Sequence, residues 1–484
     1  MTSVKAASLR LDGYESLVEQ ARAKASRLGR PVLASYTCHL GPEPDFDPLQ
    51  LVSEPDSFVW DQADRGLTLA GVGQAARLTA GGESRFREVR LQLQHLLDAA
   101  VIRQDSGAAL RAAPLSFAGF AFDPEHPDSV AWYGFPDALL VLPRLLVARS
   151  GAHLFVTANL LVEVSDNPSE LVDVVSNLAA RLFEAARPEV GTSPSAHLLD
   201  PGPDARAYWD ESVQGLTEAI ERGEAGKVVL ARRVQVECQG GFDLGAATMK
   251  LRQRYADCTV FAGRAGDACF LGATPEMLVS LRGRDLRADC LAGSAARGEN
   301  VEEDRRLGDD LLRDEKELRE HAFVARSVRE ALAPLTREIK APQEPGLRRF
   351  ANVQHLHTPF AATVDGPRHV LELVEALHPS AATAGLPRAD SLRLICEHEA
   401  FSRGWYAGPF GWIDAEGGGE FAVALRSALV RDDVASLYAG CGIVTGSDPE
   451  REYRESELKL RPMLWALNAD GSSTSTIPSP LGRG

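Results

Sequence analysis

Short apolar segments dominate the first half of the chain. Three of them, residues 66–73, 138–147 and 153–164, are bounded by Gly, Pro or Asp, a pattern typical of β-strands joined by turns. Residues 85–101 and 168–186 instead carry apolar side chains at helical spacing, and this spacing predicts a helix over each range. The first half is therefore expected to combine strands with a few amphipathic helices.

The second half repeats this mixture. Residues 204–222 and 301–334 are predicted helices, the second of them long and highly charged. Five apolar runs are predicted strands, namely residues 227–236, 271–281, 411–413, 420–430 and 436–442. Because strand signals follow one another instead of alternating with helices, the pattern favours an α+β fold with antiparallel sheets.

The composition shifts at two places along the chain. Pro201, Gly202 and Pro203 follow a polar stretch, and we predict a boundary there between residues 1–200 and residues 201–467. The tail, residues 468–484, is rich in Gly, Ser, Thr and Pro and is expected to be disordered.

Charge and composition exclude several classes of protein. The 484 residues include 52 basic and 68 acidic side chains, so the net charge of −16 argues against a nucleic-acid-binding face or a polybasic membrane anchor. The first eleven residues lack the apolar core of a secretory signal, and no run approaches a membrane span. Seven scattered cysteines without a CxxC pair favour a reducing compartment, and we predict a cytoplasmic protein with no obligatory protein partner.

Two acidic pairs in the second half could hold a metal ion. Glu317 and Glu320 lie at i,i+3 and share a helix face, and Glu452 and Glu455 repeat the spacing, with Lys459 one turn further on. If the two pairs converge, their carboxylates suit a hard cation such as Mg²⁺. The alternative for either pair alone is a solvated helix face, and spacing does not decide between the two.

Two further side chains suggest acid–base chemistry. Lys227 begins an apolar strand, where an amine can serve as a general base, although a strand-end lysine reaching into water is the commoner case. Glu276 lies between apolar residues, and burial there would raise its pKa and keep it protonated as a general acid. Its alternative is an edge-strand or helix-start glutamate beside Pro275.

Small residues and one arginine complete the candidate chemistry. Residues 291–298 and 439–442 are loops of small side chains that let the backbone approach an anionic ligand, and a tight turn is the alternative for each. Arg426 lies in an otherwise apolar predicted strand and needs a partner, for which a carboxylate of the protein or of a substrate is suited.

Taken together, these segments resemble the chorismate-utilising enzymes, and within them the isochorismate synthases of the menaquinone pathway. The matching stretches, in chain order, are KVVLARR (227–233), LGATPEML (271–278), LAGSAARG (291–298), DEKELREH (314–321), VQHLHTPF (353–360), HPSAATAGLPR (378–388), GWYAGPFGWID (404–414), EFAVALRSAL (420–429) and AGCGIVTGSDPEREYRESELK (439–459). The first half resembles the same branch through LTLAGVGQAARL (67–78), FAGFAFDP (117–124) and WYGFPDALLVLPRLLV (132–147).

The resemblance implies a fold and a set of roles. The implied fold is α+β, with two antiparallel β-sheet subdomains packed face to face and helices outside, and residues 201–467 form its chorismate-binding catalytic region. It gives Lys227 as general base and Glu276 as general acid. The implied Mg²⁺ ligands are Glu320 and Glu455, with Glu317 and Glu452 placed to hold metal-bound water. The implied substrate-binding residues are Ser294, His355, Tyr406, Arg426, Gly442 and Lys459.

The expected activity is the Mg²⁺-dependent isomerisation of chorismate to isochorismate, by attack of water at C2 and loss of the C4 hydroxyl, in menaquinone biosynthesis. Lys227 favours water over ammonia, because the resemblance implies that anthranilate synthases lack a lysine at this position. A salicylate synthase, which shares the lysine and then eliminates pyruvate, is the second expectation. A Mg²⁺-binding module without catalysis is disfavoured, because a module that only binds needs neither acid nor base.

Overall fold

The structure is a computed structural model that describes residues 13–42, 46–105, 113–125, 130–184, 195–351 and 353–469. The N-terminal eleven residues, the end of the helix predicted over 168–186 and the tail beyond residue 469 lie outside the described residues. Within the described ranges, no helix is both long and apolar enough to cross a membrane.

Helices are present at the three predicted ranges 85–101, 168–186 and 204–222, whereas helices such as Tyr14–Leu28 and Arg388–His398 were not predicted. Their bounds are α1 (Tyr14–Leu28), α2 (Arg85–Asp98), α3 (Pro168–Glu184), α4 (Ala205–Glu221), α5 (Leu244–Arg254), α6 (Val301–Leu311), α7 (Glu315–Leu332), α8 (Val370–Leu377), α9 (Arg388–His398) and α10 (Pro449–Ala466).

Strands follow one another along the chain, as the apolar runs predict. Their bounds are β1 (Val32–Pro42), β2 (Ser57–Gln62), β3 (Leu67–Ala80), β4 (Val101–Gln104), β5 (Ser116–Phe120), β6 (Ala138–Ser150), β7 (His153–Val162), β8 (His197–Leu198), β9 (Lys227–Glu237), β10 (Thr259–Ala265), β11 (Ala268–Thr274), β12 (Met277–Arg282), β13 (Asp285–Ala296), β14 (Thr336–Lys340), β15 (Gly346–Arg349), β16 (Val353–Val364), β17 (Gly385–Leu386), β18 (Pro409–Ile413), β19 (Gly419–Val423), β20 (Ser427–Arg431) and β21 (Val434–Ile443).

The strands pair into two antiparallel layers, apart from one parallel pair, β1 with β4. One layer runs in the order β4-β1-β7-β6-β3-β2-β10-β11-β20-β21-β9, and the other runs β5-β18-β19-β12-β13-β16. The short strands β8 and β17 pair with β9, and β14 and β15 pair with β16. The two layers are joined through β6, which pairs with β5 at its start and with β7 at its end. Because β2 pairs with β10 and β5 with β18, strands from both sides of the predicted boundary at residue 200 share sheets; the boundary itself stays a prediction.

Aromatic side chains fill the space between the layers. Phe58 of β2 and Phe117 of β5 lie 5.8 Å apart between ring centroids, and Phe261 of β10 and Phe410 of β18 lie 5.0 Å apart. All four are buried in one core cluster. Helices cover the outer faces, with α1 on β1 and α3 on β6, and with α7 on β13 and α8 on β12. The predicted α+β fold, with two packed antiparallel sheets and helices outside, is confirmed.

Two apolar runs predicted as single strands are each two strands, and in this the prediction was wrong. The run 271–281 is interrupted between β11 and β12 by Pro275, which has no N–H to donate to a neighbouring strand. The run 420–430 is interrupted between β19 and β20, where Arg426 has a φ of +50°. Each break contains a predicted site residue that lines the cavity described below, Glu276 in the first and Arg426 in the second.

The prediction of one long helix over residues 301–334 was also wrong in extent, because this range forms two helices, α6 and α7. Asp314 directly precedes α7, and its carboxylate accepts hydrogen bonds from the backbone N–H groups of Lys316 and Glu317. An aspartate at this position satisfies donors that have no partner within the helix. The separate start of α7 brings Glu317 and Glu320 to the edge of a cavity.

Candidate active site

The twelve predicted site residues surround one cavity. It is lined from β9, β13, β16 and β21, from helices α7 and α10 and from the loops between strands, and it holds about 1040 Å³ of empty space, its open mouth included. The predicted residues found there are Lys227, Glu276, Ser294, Glu317, Glu320, His355, Tyr406, Arg426, Gly442, Glu452, Glu455 and Lys459. The structure therefore brings all of them together, while their individual roles remain predictions.

Lys227 is the first residue of β9 and reaches the carboxylates of α7. Its side chain is buried, with 6% of the residue exposed, and Nζ donates to Glu320 Oε1 over 2.6 Å. Gly442 of the neighbouring strand makes room for this contact. A Cβ at position 442 would lie 2.9 Å from Lys227 Cε and 3.1 Å from Glu320 Oε1. A side chain there would displace the amine.

Glu276 occupies the break between β11 and β12 and is 7% exposed. Burial, together with the nearby Asp289 carboxylate and against the opposing charge of Lys227, raises the pKa of its carboxyl to about 8. The carboxyl is therefore protonated at neutral pH and can donate a proton within the cavity.

Helix α7 presents two carboxylates to the cavity, one turn apart. Burial raises the pKa of Glu317, and the neighbouring charges of Glu320 and Glu455 raise it further. Arg451 lies 3.8 Å from Glu317 at the exposed rim. The Glu317 carboxylate is thus held among groups of its own charge, which disfavours its ionised form.

Helix α10 presents the second acidic pair. Burial raises the pKa of Glu452 to about 7, and Glu455 adds to the shift. Burial alone would raise the pKa of Glu455 as well, but the Lys459 ammonium, 2.6 Å away, lowers it below its usual value. One potential ligand atom each of Cys441, Glu452 and Glu455 lies within 4.8 Å of the others.

This donor set fits a hard divalent cation. Like charges gathered in a buried site raise one another's pKa, and a bound cation would relieve that repulsion. The thiol of Cys441 does not compete as a ligand, because burial raises its pKa and its Sγ contacts the Glu452 carbonyl oxygen at 3.1 Å. The remaining donors are carboxylate oxygens, which Mg²⁺ prefers.

Arg426 turns into the cavity from the break between β19 and β20. Its left-handed φ of +50° is unusual for a side chain of this size and directs it away from the strands. Burial lowers the pKa of its guanidinium, but the nearby Tyr406 opposes this effect. Among the described residues, none forms an ion pair or side-chain hydrogen bond with it. No carboxylate of the described residues therefore pairs with Arg426, and its role in binding a substrate carboxylate stays a prediction.

Lys459 and Tyr406 lie on the same side of the cavity. Lys459 Nζ donates to the Gly440 carbonyl oxygen over 2.8 Å, and although burial would lower its pKa, the Glu455 carboxylate raises it above the usual value. The Tyr406 ring stacks on Tyr438, with the centroids 5.1 Å apart. Burial raises the pKa of Tyr406 to about 12, so its hydroxyl stays a hydrogen-bond donor.

His355 and Ser294 form a neutral pair in the floor of the cavity. His355 Nδ1 lies 2.8 Å from Ser294 Oγ and 3.3 Å from the Gly293 carbonyl oxygen. Burial lowers the pKa of His355 to about 3, and the charge of Arg426 adds to the shift, so the imidazole is uncharged at neutral pH. A bulge in β13 between Leu291 and Ser294 places the hydroxyl.

Several lining residues were missed by the sequence reasoning. Lys316 and Arg451 line the cavity from the first turns of α7 and α10. Each is the sequence neighbour of a predicted acidic residue, Glu317 or Glu452, and could have been predicted from that position. Thr383 and Arg403 line it from loops. The one signal for Arg403 was a glutamate four residues before it, Glu399, with which it forms an ion pair.

The comparison with known proteins defines the class. A sequence model of the family described as chorismate binding enzyme matches residues 18–468, and the chain belongs to this family. It is 37% identical over 479 residues to the salicylate biosynthesis isochorismate synthase of Pseudomonas aeruginosa, with 98% of each chain covered. It is 32% identical over 469 residues to the isochorismate synthase MenF of Bacillus subtilis, with 94% of this chain and 98% of that one covered.

Solved structures agree with this placement. The menaquinone-specific isochorismate synthase MenF from Escherichia coli superposes with a TM-score of 0.75 at 27% identity, covering 92% of this chain and 99% of that one. Anthranilate synthase component I from Streptococcus pneumoniae superposes with a TM-score of 0.66 at 20% identity, covering 82% and 92%, which shows the shared fold alone. The family resemblance predicted from the sequence is confirmed.

Proposed function

We propose that this chain is an isochorismate synthase, an isomerase that converts chorismate to isochorismate. The observation that carries the proposal is that an amine, Lys227, and a protonated carboxyl, Glu276, line one cavity with an arginine, Arg426, that has no partner among the described residues. The names of the relatives that match nearly the whole chain support it.

In the proposed reaction Lys227 accepts a proton from a water that attacks C2 of the ring. The double bonds shift, the C4–oxygen bond breaks, and Glu276 donates its proton so that the hydroxyl leaves as water. One water enters and one leaves, so the reaction is a net isomerisation. Proton transfer by such positioned groups contributes about 10²–10⁴ in rate. Glu320, 2.6 Å from Nζ, orients the amine.

The substrate is a dianion, and we assign its carboxylates to the cations of the cavity. Arg426 offers a fork of N–H donors that matches a carboxylate, and Tyr406 offers a hydroxyl. The ammonium of Lys459 and the backbone N–H of Gly442 are the further donors that we assign to the substrate carboxylates. Ser294 and His355 line the bottom of the cavity. The imidazole of His355 is uncharged there, so it adds no positive charge beside the ring of the substrate.

Mg²⁺ would be held by Glu320 and Glu455, with Glu317 and Glu452 beside them. When bound, the ion supplies positive charge that neutralises the ring carboxylate of the substrate. Without the metal ion, the negative charge that remains on these four glutamates repels the substrate dianion. We therefore expect substrate affinity to depend on the metal.

The destination of the product is a separate proposal. We propose menaquinone biosynthesis in the cytoplasm, supported by the similarity to the MenF proteins and by the seven cysteines, all of which are free thiols. The relative from Pseudomonas aeruginosa is named for salicylate biosynthesis, so the product of the reaction must be identified directly.

The test is incubation of the purified protein with chorismate and Mg²⁺, with the products separated by chromatography. Isochorismate is the expected product. Salicylate with pyruvate would favour a salicylate synthase, and anthranilate formed in the presence of ammonia would favour an amine-transferring enzyme. Either result would overturn the proposal.

A further inference from the structure

A buried ion pair beside the cavity, between Glu399 and Arg403, has no role in the chemistry proposed above. The Arg403 and Glu399 side chains are 3% and 2% exposed. Arg403 Nε donates to Glu399 Oε2 over 2.9 Å, and Nη2 donates to Oε1 of the same carboxylate. The pair lies just after α9 in the chain, and Arg403 itself reaches the cavity wall.

The remaining donors of this pair go to the backbone of the cavity wall. Arg403 Nη1 donates to the Thr383 carbonyl oxygen over 2.8 Å, and Nη2 donates to the Val229 carbonyl oxygen over 2.7 Å. Glu399 Oε1 accepts the backbone N–H of Ala231 over 2.7 Å. These bonds occupy at least four of the five N–H groups of the guanidinium. Arg403 therefore has no free fork for a substrate carboxylate, in contrast to Arg426.

Both members of the pair hold β9, the strand that begins with Lys227. Val229 and Ala231 follow Lys227 at alternate positions, so the three residues share one face of the strand. The carbonyl oxygen of Lys227 accepts a hydrogen bond from Ser391 Oγ of α9 over 3.0 Å. Helix α9 and the residues that follow it therefore fix the strand at each of these three positions.

Stability alone does not account for the pair. Burying two charges carries a desolvation cost that their attraction often only offsets, and replacing such a pair by apolar residues of similar volume is often neutral or stabilising. What apolar residues cannot reproduce is the rigid fork, which joins β9 to Thr383 and to the turn at Arg403. The ion pair therefore fixes the position of β9, the strand from which the proposed base Lys227 extends.

We propose that Glu399 and Arg403 are positioning residues that set the place of the Lys227 amine by holding β9 against the loops at Thr383 and Arg403. This inference rests on the proposed isochorismate synthase activity. A base displaced by about 1 Å costs about 10²-fold in rate, while substrate binding by cations on other elements is largely retained. The turnover number is therefore more sensitive to the pair than the Michaelis constant.

The test compares three variants with a matched control. Arg403→Lys and Glu399→Gln each keep one partner, and the double variant Glu399→Leu/Arg403→Met replaces the pair by apolar side chains. The control is Glu397→Gln, which breaks an i,i+4 ion pair with Arg393 on the exposed face of α9. Folding is followed by circular dichroism and thermal melting, and kcat and KM for chorismate are measured for each protein.

We expect the three variants to fold, with kcat lowered at least about tenfold and KM within about threefold of the wild type, while the control keeps the wild-type values. A folded double variant with the wild-type kcat would overturn the positioning role. So would a rise in KM at constant kcat, an equal loss in the control, or failure of all three variants to fold, which would make the pair a general stability element. An inactive wild type refutes the proposed function and this inference together, whereas an active wild type with fully active variants refutes this inference alone.

Discussion

Glu276→Gln replaces the buried carboxyl of the cavity by an amide of similar shape that has no titrating proton. With a pKa of about 8 in the folded protein, the carboxyl is about 90% protonated at pH 7 and about 10% protonated at pH 9. If Glu276 is the general acid, kcat of the wild type falls about tenfold over this range. The variant loses about 10²–10⁴ in kcat and with it this dependence on pH.

The same shift predicts a change in stability, whose sign follows from proton binding. Unfolding returns the pKa of the carboxyl from about 8 to its ordinary value of 4.5, so the folded state binds more protons between these two values. Stability of the wild type relative to the variant therefore falls as pH rises from about 4.5 to about 8 and is constant above. The shift corresponds to a difference of up to about 5 kcal/mol across this window.

The assay is urea-induced unfolding of both proteins between pH 5 and pH 9, together with pH profiles of kcat. We expect the variant to gain stability over the wild type as pH rises toward 8. Glu397→Gln, at an exposed position of α9, serves as the control and should show no such gain. A stability difference independent of pH, combined with an unchanged fall of activity at high pH in the variant, would contradict both the raised pKa of Glu276 and its role as general acid.

Three further predictions concern other members of the site. Lys227→Ala should abolish isochorismate formation while circular dichroism stays unchanged, and full activity would contradict its role as base. Glu320→Gln and Glu455→Gln should each shift the Mg²⁺ titration of activity to higher concentrations, because each removes a carboxylate ligand; an unshifted titration contradicts the metal site. Arg426→Gln should raise KM for chorismate about 10- to 100-fold, since a hydrogen bond to a charged group contributes about 1.5–3 kcal/mol; its control is Arg454→Gln at the exposed face of α10, and equal effects of the two would refute the assignment.

The pattern of apolar and polar residues predicted many of the longer elements, but it missed strands such as β1 and β16 and helices such as α1 and α9, and it did not show where the predicted elements break. The run 138–147 contains Pro143, yet it stays within the single strand β6, whose pairing with β3 only shifts register between Gln74 and Ala76. The break at Pro275 and the helix start at Asp314 were readable, since proline lacks a donor and aspartate caps helices. The left-handed φ of Arg426 was not, because a residue of this type rarely adopts it.

Residue patterns singled out the two acidic pairs and the candidate side chains Lys227, Glu276 and Arg426. The family resemblance gave them roles and added residues such as Ser294, His355 and Tyr406, whereas the contacts among all of them required the structure. Lys227 and Glu320 are 93 positions apart in the chain, yet their side chains meet at 2.6 Å. Spacing along a helix placed Glu452 and Glu455 on one face but could not place that face opposite α7. Arg403 went unpredicted because its partners, Val229 and Thr383, lie far from it in the sequence.

In the proposed reaction, water from the solvent attacks C2 of chorismate within this cavity. The most direct measurement is the reaction of chorismate with the purified protein and Mg²⁺ in water labelled with heavy oxygen, with the product analysed by mass spectrometry and NMR. We expect isochorismate that carries one labelled oxygen, bound at C2. Isochorismate without label, or a product other than isochorismate, would contradict the proposed reaction.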